Sequence, residues 1–173
     1  MQIIHTIENK TLIPAPFIYL ASQSPRRSQL LDQIGVTHQI LVADAAENAI
    51  EDAEALEIAL KNEAPKDYVM RVTGLKLEAA VARMKNRGLP NAPILCADTT
   101  VCMGRVIYGK PENAADAARM LAELSGELSS KTHRVLTSIA IAYGAGGKKR
   151  LQALSESKVT FAPMTKAQIA SYV

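Results

Sequence analysis

Three short stretches bring together residue types that could handle a phosphate. The first is Ser22-Gln23-Ser24-Pro25-Arg26-Arg27, where an apolar run ends in a polar loop that leads into a helix. Free backbone N–H groups and the positive end of the helix dipole gather at such a start, and both attract anions. Two arginines in a first turn oppose the dipole, a cost that an anion held among them would offset. Their planar forks grip phosphate oxygens in pairs. The same arginines could equally stand in solvent on a helix face. The second stretch is Ala97-Asp98-Thr99-Thr100, inside the apolar run 94–103. A carboxylate buried in such a run is costly unless it is paired or binds a metal. At a strand end facing a cleft, Asp98 could hold Mg2+ or take a proton from an attacking water; the bland alternative is a carboxylate bonded to nearby backbone. The third is Gly109-Lys110-Pro111, which presents a compact cation at a rigid turn, although an ordinary turn reads the same way.

Together the three supply what cleavage of a phosphoanhydride requires: cations for the oxygens, a carboxylate for a metal, and a base for water. Catalysis of that class is mostly positioning and electrostatics. The loop lacks the glycines followed by Lys-Ser/Thr of a P-loop, which argues against that class of NTPase.

These residues need elements to hold them. Phe17 to Ser22 reads as a buried strand. Ser24 is placed to cap a helix with Pro25 at its first position and Gly35 at its end. Gln39 to Val42 reads as a second strand. Asp44 to Leu60 is rich in Ala and carboxylates, among them Glu47 and Glu57, and reads as a solvated helix face. A long helix is expected from Pro65 to about Arg87, stopped by Gly88 and Pro90. Ile94 to Met103 is a strongly apolar strand that turns at Gly104-Arg105 and returns through Val106 to Tyr108. Asn113 to Leu124 is an amphipathic helix closed by Gly126. His133 to Tyr143 and Leu151 to Phe161 are two strands of a hairpin. Thr165 with Gln168 forms a capping box for a last helix. Strand–helix alternation plus a long hairpin predicts an α/β or α+β fold with a mixed sheet. Residues 1–16 read as a poorly structured leader and 17–173 as one domain, with a second lobe at about 44–90.

Composition narrows the class. The chain has 173 residues, 48% of them hydrophobic and 21% charged, the balance of a soluble globular protein. Its net charge of +3 and 4% aromatic content argue against non-specific nucleic-acid binding and base stacking. The basic cluster Lys148-Lys149-Arg150 reads as a solubilising hairpin tip rather than a nucleic-acid contact. Cys96 and Cys102 belong to no metal or redox motif and read as buried free thiols, which suits a reducing cytoplasm. No stretch reads as a membrane span or a secretory signal.

The text LASQSPRRSQLLDQIGV (20–36), followed by CADTTV (96–101), GKP (109–111), ARMLAELSG (118–126) and THRVLTSIAI (132–141), resembles the Maf family in order and approximate spacing. The resemblance runs from Tyr19 onward. It implies an elongated two-lobed α/β fold of Maf/ITPase type with a central cleft. It also implies a nucleoside triphosphate pyrophosphatase that uses Mg2+ or Mn2+. By position, Ser22, Arg26, Arg27 and Lys110 would bind the triphosphate, and Lys76 would reach it from the other lobe. Asp98 would be the catalytic carboxylate, as base or metal ligand, and Glu47 would help hold the metal. Thr132-His133-Arg134-Val135 resembles the branch acting on dTTP and UTP, with His133 orienting structure. A cytoplasmic homodimer with no stable nucleic-acid partner is implied.

Two departures from the family's pattern stand out. Glu127 to Lys131 is longer than the usual link, at the expected border of the cleft. The family's text continues beyond Val173 into a GEPxDKAGAYGIQG segment, so a C-terminally shortened fold is expected, with exposed sheet edge, reduced stability or a dimer contact over that surface. A non-catalytic homolog that binds nucleotides or a protein in cell division is the rival reading.

Overall fold

The computed structural model describes residues 16–44, 57–126 and 131–173. The leader, the acidic stretch 45–56 with Glu47, and the link 127–130 lie outside the described residues. Among those described, six strands form one mixed sheet: β1 (Ile18–Leu20), β2 (His38–Ile40), β3 (Ile94–Met103), β4 (Val106–Tyr108), β5 (Thr132–Tyr143) and β6 (Lys149–Thr160). Four helices accompany them: α1 (Pro25–Gln33), α2 (Pro65–Asn86), α3 (Ala114–Ser125) and α4 (Lys166–Tyr172). The mixed α/β class is as expected, and no described helix is long and apolar enough to cross a membrane.

The sheet order is β2-β1-β3-β5-β6, with β4 beside the far half of β3. β1 pairs in parallel with β2 and β3, whereas β3–β5, β5–β6 and β3–β4 are antiparallel. β3 therefore joins a small parallel half to a long antiparallel hairpin. On one edge it pairs with β1 only at Ile94 and Leu95, and with β4 only from Val101 to Met103. Between those pairings the edge of β3 carries no strand. Asp98 sits in that gap. It is in the middle of a ten-residue strand rather than at its end, and the cleft exists because β1 stops early.

α2 is 22 residues long, about 33 Å at 1.5 Å per residue, and lies across β3 and β5. Its buried stripe forms two apolar clusters. One joins Leu77, Ala80, Val81 and Met84 to Tyr19, Ile94, Cys96, Ala140 and Ala142. The other joins Tyr68, Val69 and Val72 to Cys102 and Leu136. Strand alternation puts Ile94, Cys96, Asp98, Thr100 and Cys102 on one face. Asp98 thus falls between the clusters, opposite Lys76 of α2. The β5–β6 turn is fastened to the same helix. Gly147 has φ +63 beside Val81, and glycine supplies that left-handed backbone.

Local signals held in most places. Gly35 (φ 71) follows α1 and Gly126 (φ 71) caps α3. Asn113 accepts from Asp116 N–H, and Thr165–Gln168 makes the capping box. Two expectations are corrected. Ser24 stands at the N-cap of α1, but its hydroxyl makes no capping bond. Residues 57–60 are turn and coil, not helix. They are shaped by α2 instead: Tyr68 OH donates to Glu57 O at 2.8 Å, and Arg71 Nη2 donates to Ile58 O at 2.9 Å.

Candidate active site

A cavity of about 500 Å3 opens at the carboxyl ends of the parallel strands. β2 and β3 flank β1: the connection after β1 runs to one side and the connection after β2 crosses to the other, the change of direction at which α/β sheets open a ligand crevice. The loop after β1 supplies Ala21, Ser22, Gln23 and Ser24, and the first turn of α1 supplies Arg27. The segment after β2 supplies Leu41, Val42 and Ala43. β3 supplies Ala97, Asp98 and Thr99, α2 supplies Lys76, Ala79 and Arg83, and Glu57 and Lys110 complete the lining.

The centre is an ion triad. Lys76 Nζ donates to Asp98 Oδ1 at 2.7 Å and to Glu57 Oε1 at 2.7 Å. Asp98 is 16% exposed and Lys76 25%, so water screens their attraction only in part. Burial alone would lower the Lys76 pKa, but the hydrogen bonds to both carboxylates outweigh it and hold the ammonium above its ordinary range. Burial would raise Glu57, but the hydrogen bond and charge of Lys76, with the charge of Lys110, hold it below the usual carboxylate range. Lys76 and Glu57 are therefore charged at neutral pH. Thr100 Oγ1 stands 3.5 Å from the second oxygen of Asp98.

The β1–α1 loop forms a second group. Arg27 Nη1 donates to Ser22 Oγ at 3.0 Å, and Ser24 N–H donates to the same oxygen at 3.2 Å. The hydroxyl thus sets both the arginine and the turn, and no acid lies in the first turn of α1 to compete for the site. Among the described residues the lining carries four cations, Arg27, Lys76, Arg83 and Lys110, against two carboxylates. Such a balance suits a polyanion accompanied by a divalent cation.

The structure brings Ser22, Arg27, Lys76, Asp98 and Lys110 to one cavity, although they span 89 positions of sequence. Arg26 is exposed and is not part of the lining. Two lining residues went unread in the sequence. Glu57 reads from sequence as a solvated helix acid, and no local motif in the sequence singles out Arg83. Arg83 is 7% exposed and its Nη1 donates to Leu41 O at 3.3 Å, tying the β2 side of the wall to α2. The charged register of α2 held the signal: Arg83 lies seven residues from Lys76, two turns along the same face.

His133 is buried, lies outside the lining, and stacks edge-on against Phe161 with ring centroids 4.7 Å apart. Cys96 and Cys102 are free and buried, and burial pushes the Cys96 thiol up. The hairpin tip is not merely solvated. Arg150 forks onto Glu78 of α2 at 2.6 and 2.8 Å, so one member of the basic cluster is engaged in holding the fold.

Comparison with known proteins identifies the family and the fold. Two curated relatives, both named dTTP/UTP pyrophosphatase, are 60% identical to the chain. The one from Albidiferax ferrireducens aligns over 90% of this chain and 72% of its own length. The one from Polaromonas sp. aligns over 92% and 73%. Among solved structures, a HAM1 protein from Coxiella burnetii is 13% identical, covers 83% of this chain and 72% of its own, and superposes with a TM-score of 0.50, a likeness of fold alone. The profile of the family described as Maf-like protein matches residues 17–173, and the chain belongs to that family.

Proposed function

We propose that the chain hydrolyses dTTP and UTP to the nucleoside monophosphate and pyrophosphate. The observation that carries the reading is the cavity itself: a carboxylate held by a lysine in mid-sheet, ringed by cations from three separate elements. The choice of nucleotide rests on the 60% identical relatives that bear that name.

Arg27, with Ser22 and the positive end of the α1 dipole, receives the phosphates from one side, and Lys110 receives them from the other. Lys76 holds Asp98 by one oxygen, and Thr100 Oγ1 stands 3.5 Å from the other. Asp98 accepts a proton as water attacks the α-phosphorus. The bond from that phosphorus to the bridging oxygen breaks, and pyrophosphate leaves with charge spread over oxygens that the cations face.

The donors also fit a divalent cation. Asp98 and Glu57 already share one ammonium at 2.7 Å each, and two carboxylates with substrate phosphates make the hard oxygen set that Mg2+ or Mn2+ takes. Such an ion would neutralise charge on the phosphates. Asp98 and Glu57 are the described residues that would hold it, and Glu47, assigned to it by family resemblance, lies outside those described. A cytoplasmic homodimer belongs to the same reading, the compartment being supported by two thiols that remain free.

The test is incubation of the protein and Mg2+ or Mn2+ with dTTP, UTP, CTP and 7-methyl-GTP, assaying pyrophosphate and monophosphate. Release from dTTP and UTP above the others is expected. Release from no nucleotide by folded protein would leave the rival reading of a binding homolog.

A further inference from the structure

Lys110 reaches the cavity from an exposed loop, and something must hold that loop still. Tyr108 and Glu112, each two residues from Lys110, are both fastened to α3. Tyr108 OH donates to Glu123 Oε2 at 3.0 Å, and Glu112 N–H donates to Asp116 Oδ2 at 3.2 Å. The remaining oxygen of each carboxylate is held by one side chain. Arg119 Nη1 donates to Glu123 Oε1 at 2.8 Å, while its Nε and Nη2 donate to Asp116 Oδ1 at 3.0 and 2.6 Å.

We propose that Arg119, which lies outside the cavity, is a positioning residue for Lys110: one guanidinium orients both carboxylates that pin the loop on either side of it. The inference rests on the proposed role of Lys110 at the phosphates. The geometry uses both oxygens of both acids, one for the arginine and one for the loop. Asp116 and Glu123 lie three residues before and four after Arg119, so all three share one face of α3. The planar fork sets three N–H groups on the two carboxylates at fixed angles, an orientation that lysine, a point charge on a flexible stem, does not impose. The carboxylates respond to this grip, since the hydrogen bonds of Arg119 hold both Asp116 and Glu123 below their ordinary range. Loss of the guanidinium would leave two acids of like charge free to turn away from Tyr108 and from the Glu112 amide. The consequence would be a looser cation at the cavity rather than a changed core, because Arg119 is 52% exposed.

A purely helical role for these pairs would weaken α3 whatever residue stood at 110. A double-mutant cycle separates the two, with kcat/KM for pyrophosphate release from dTTP as the readout. Arg119→Met should lower kcat/KM about three- to tenfold in the native background and less than about twofold in Lys110→Ala. Arg119→Lys should recover only part of the loss. Equal losses in both backgrounds would overturn the proposal and leave Arg119 a helix-stabilising residue. Native kcat/KM in Arg119→Met would overturn it as well. Native activity in Lys110→Ala would remove Lys110 from the site and the proposal with it; that failure is told apart because it appears with Arg119 intact.

Discussion

Replacing Asp98 with Asn separates chemistry from fold with almost no change of shape. The amide keeps the volume of the carboxylate and can still accept a hydrogen bond from Lys76, but it carries no charge and is a poor base. On the stability side, one charge-assisted bond at 2.7 Å is weakened while Lys76 retains Glu57 at 2.7 Å. A hydrogen bond to a charged group contributes about 1.5–3 kcal/mol, and the surviving partner and residual amide contact bring the net loss to about 1 kcal/mol. For a chain of this size that lowers Tm by about 2–4 °C. On the rate side, losing a general base costs about 100- to 10,000-fold. At 1.36 kcal/mol per factor of ten, a thousandfold loss is about 4 kcal/mol of barrier.

The signature is therefore a large gap between the two effects. Pyrophosphate release from dTTP at saturating metal gives kcat, and a thermal melt in the same buffer gives Tm. A kcat within about tenfold of native would refute the assignment of Asp98 as base, because no other described carboxylate but Glu57 lines the cavity. A fall in Tm beyond about 10 °C would refute the bookkeeping, and would mean that the triad stabilises the junction of the two clusters far more than one exchanged hydrogen bond allows.

Three further outcomes are expected. Arg27→Ala should raise KM for dTTP about 10- to 100-fold, the worth of a charge-assisted phosphate contact, and Arg26→Ala less than about threefold, because Arg26 is exposed outside the lining; equal effects in steady-state kinetics would show that the loop rearranges around substrate. Glu57→Gln should raise the Mg2+ concentration for half-maximal activity about tenfold, as loss of one of two protein carboxylates requires, and an unchanged metal titration would take Glu57 out of the site. Burial holds the His133 imidazole below its ordinary pKa of 6.5, so the unfolded chain binds a proton there that the folded chain resists. Stability should then fall as pH drops below 6.5, and His133→Leu should flatten that slope in melts run from pH 7 to 5; an identical slope in the variant would place the acid sensitivity elsewhere.

The sequence was most legible where a local rule decides. The β1 run, the proline that opens α1, the glycines after α1 and α3 and the capping box of α4 each depend on a few neighbouring residues, and each formed. Chemistry was legible where a residue contradicts its surroundings, as Asp98 does in an apolar strand and Arg27 does at a helix start. Glu57 contradicts nothing. It stands among many acids in an Ala-rich stretch, and Tyr68 and Arg71, in the first two turns of the next helix, hold residues 57 and 58 where Glu57 meets Lys76. Arg150 was misread for the same reason, since its partner Glu78 is 72 residues away. The cleft beside Asp98 was illegible on a different ground. The strand's length was right, but where its neighbours stop is a property of the sheet, and one sequence run does not contain it.

That gap in the sheet also explains why one strand can serve both halves of the site. β1 ends at Leu20 and releases the loop that carries Ser22; β4 begins its pairing at Val101 and hands the chain on to Lys110. β3 carries Asp98 midway between them and is fixed by nine registered positions against β5, from Ile94 opposite Ala142 to Cys102 opposite Arg134. Side chains on a strand alternate faces, so a slip of one residue would turn Asp98 away from Lys76 and set Ala97 or Thr99 in its place. The apolar residues on either side, Ile94 and Cys96 in one cluster and Cys102 in the other, forbid that slip, because it would move them off α2 together with Asp98. The register that buries the core is thus the register that aims the carboxylate, and the charge sits where the core itself is divided.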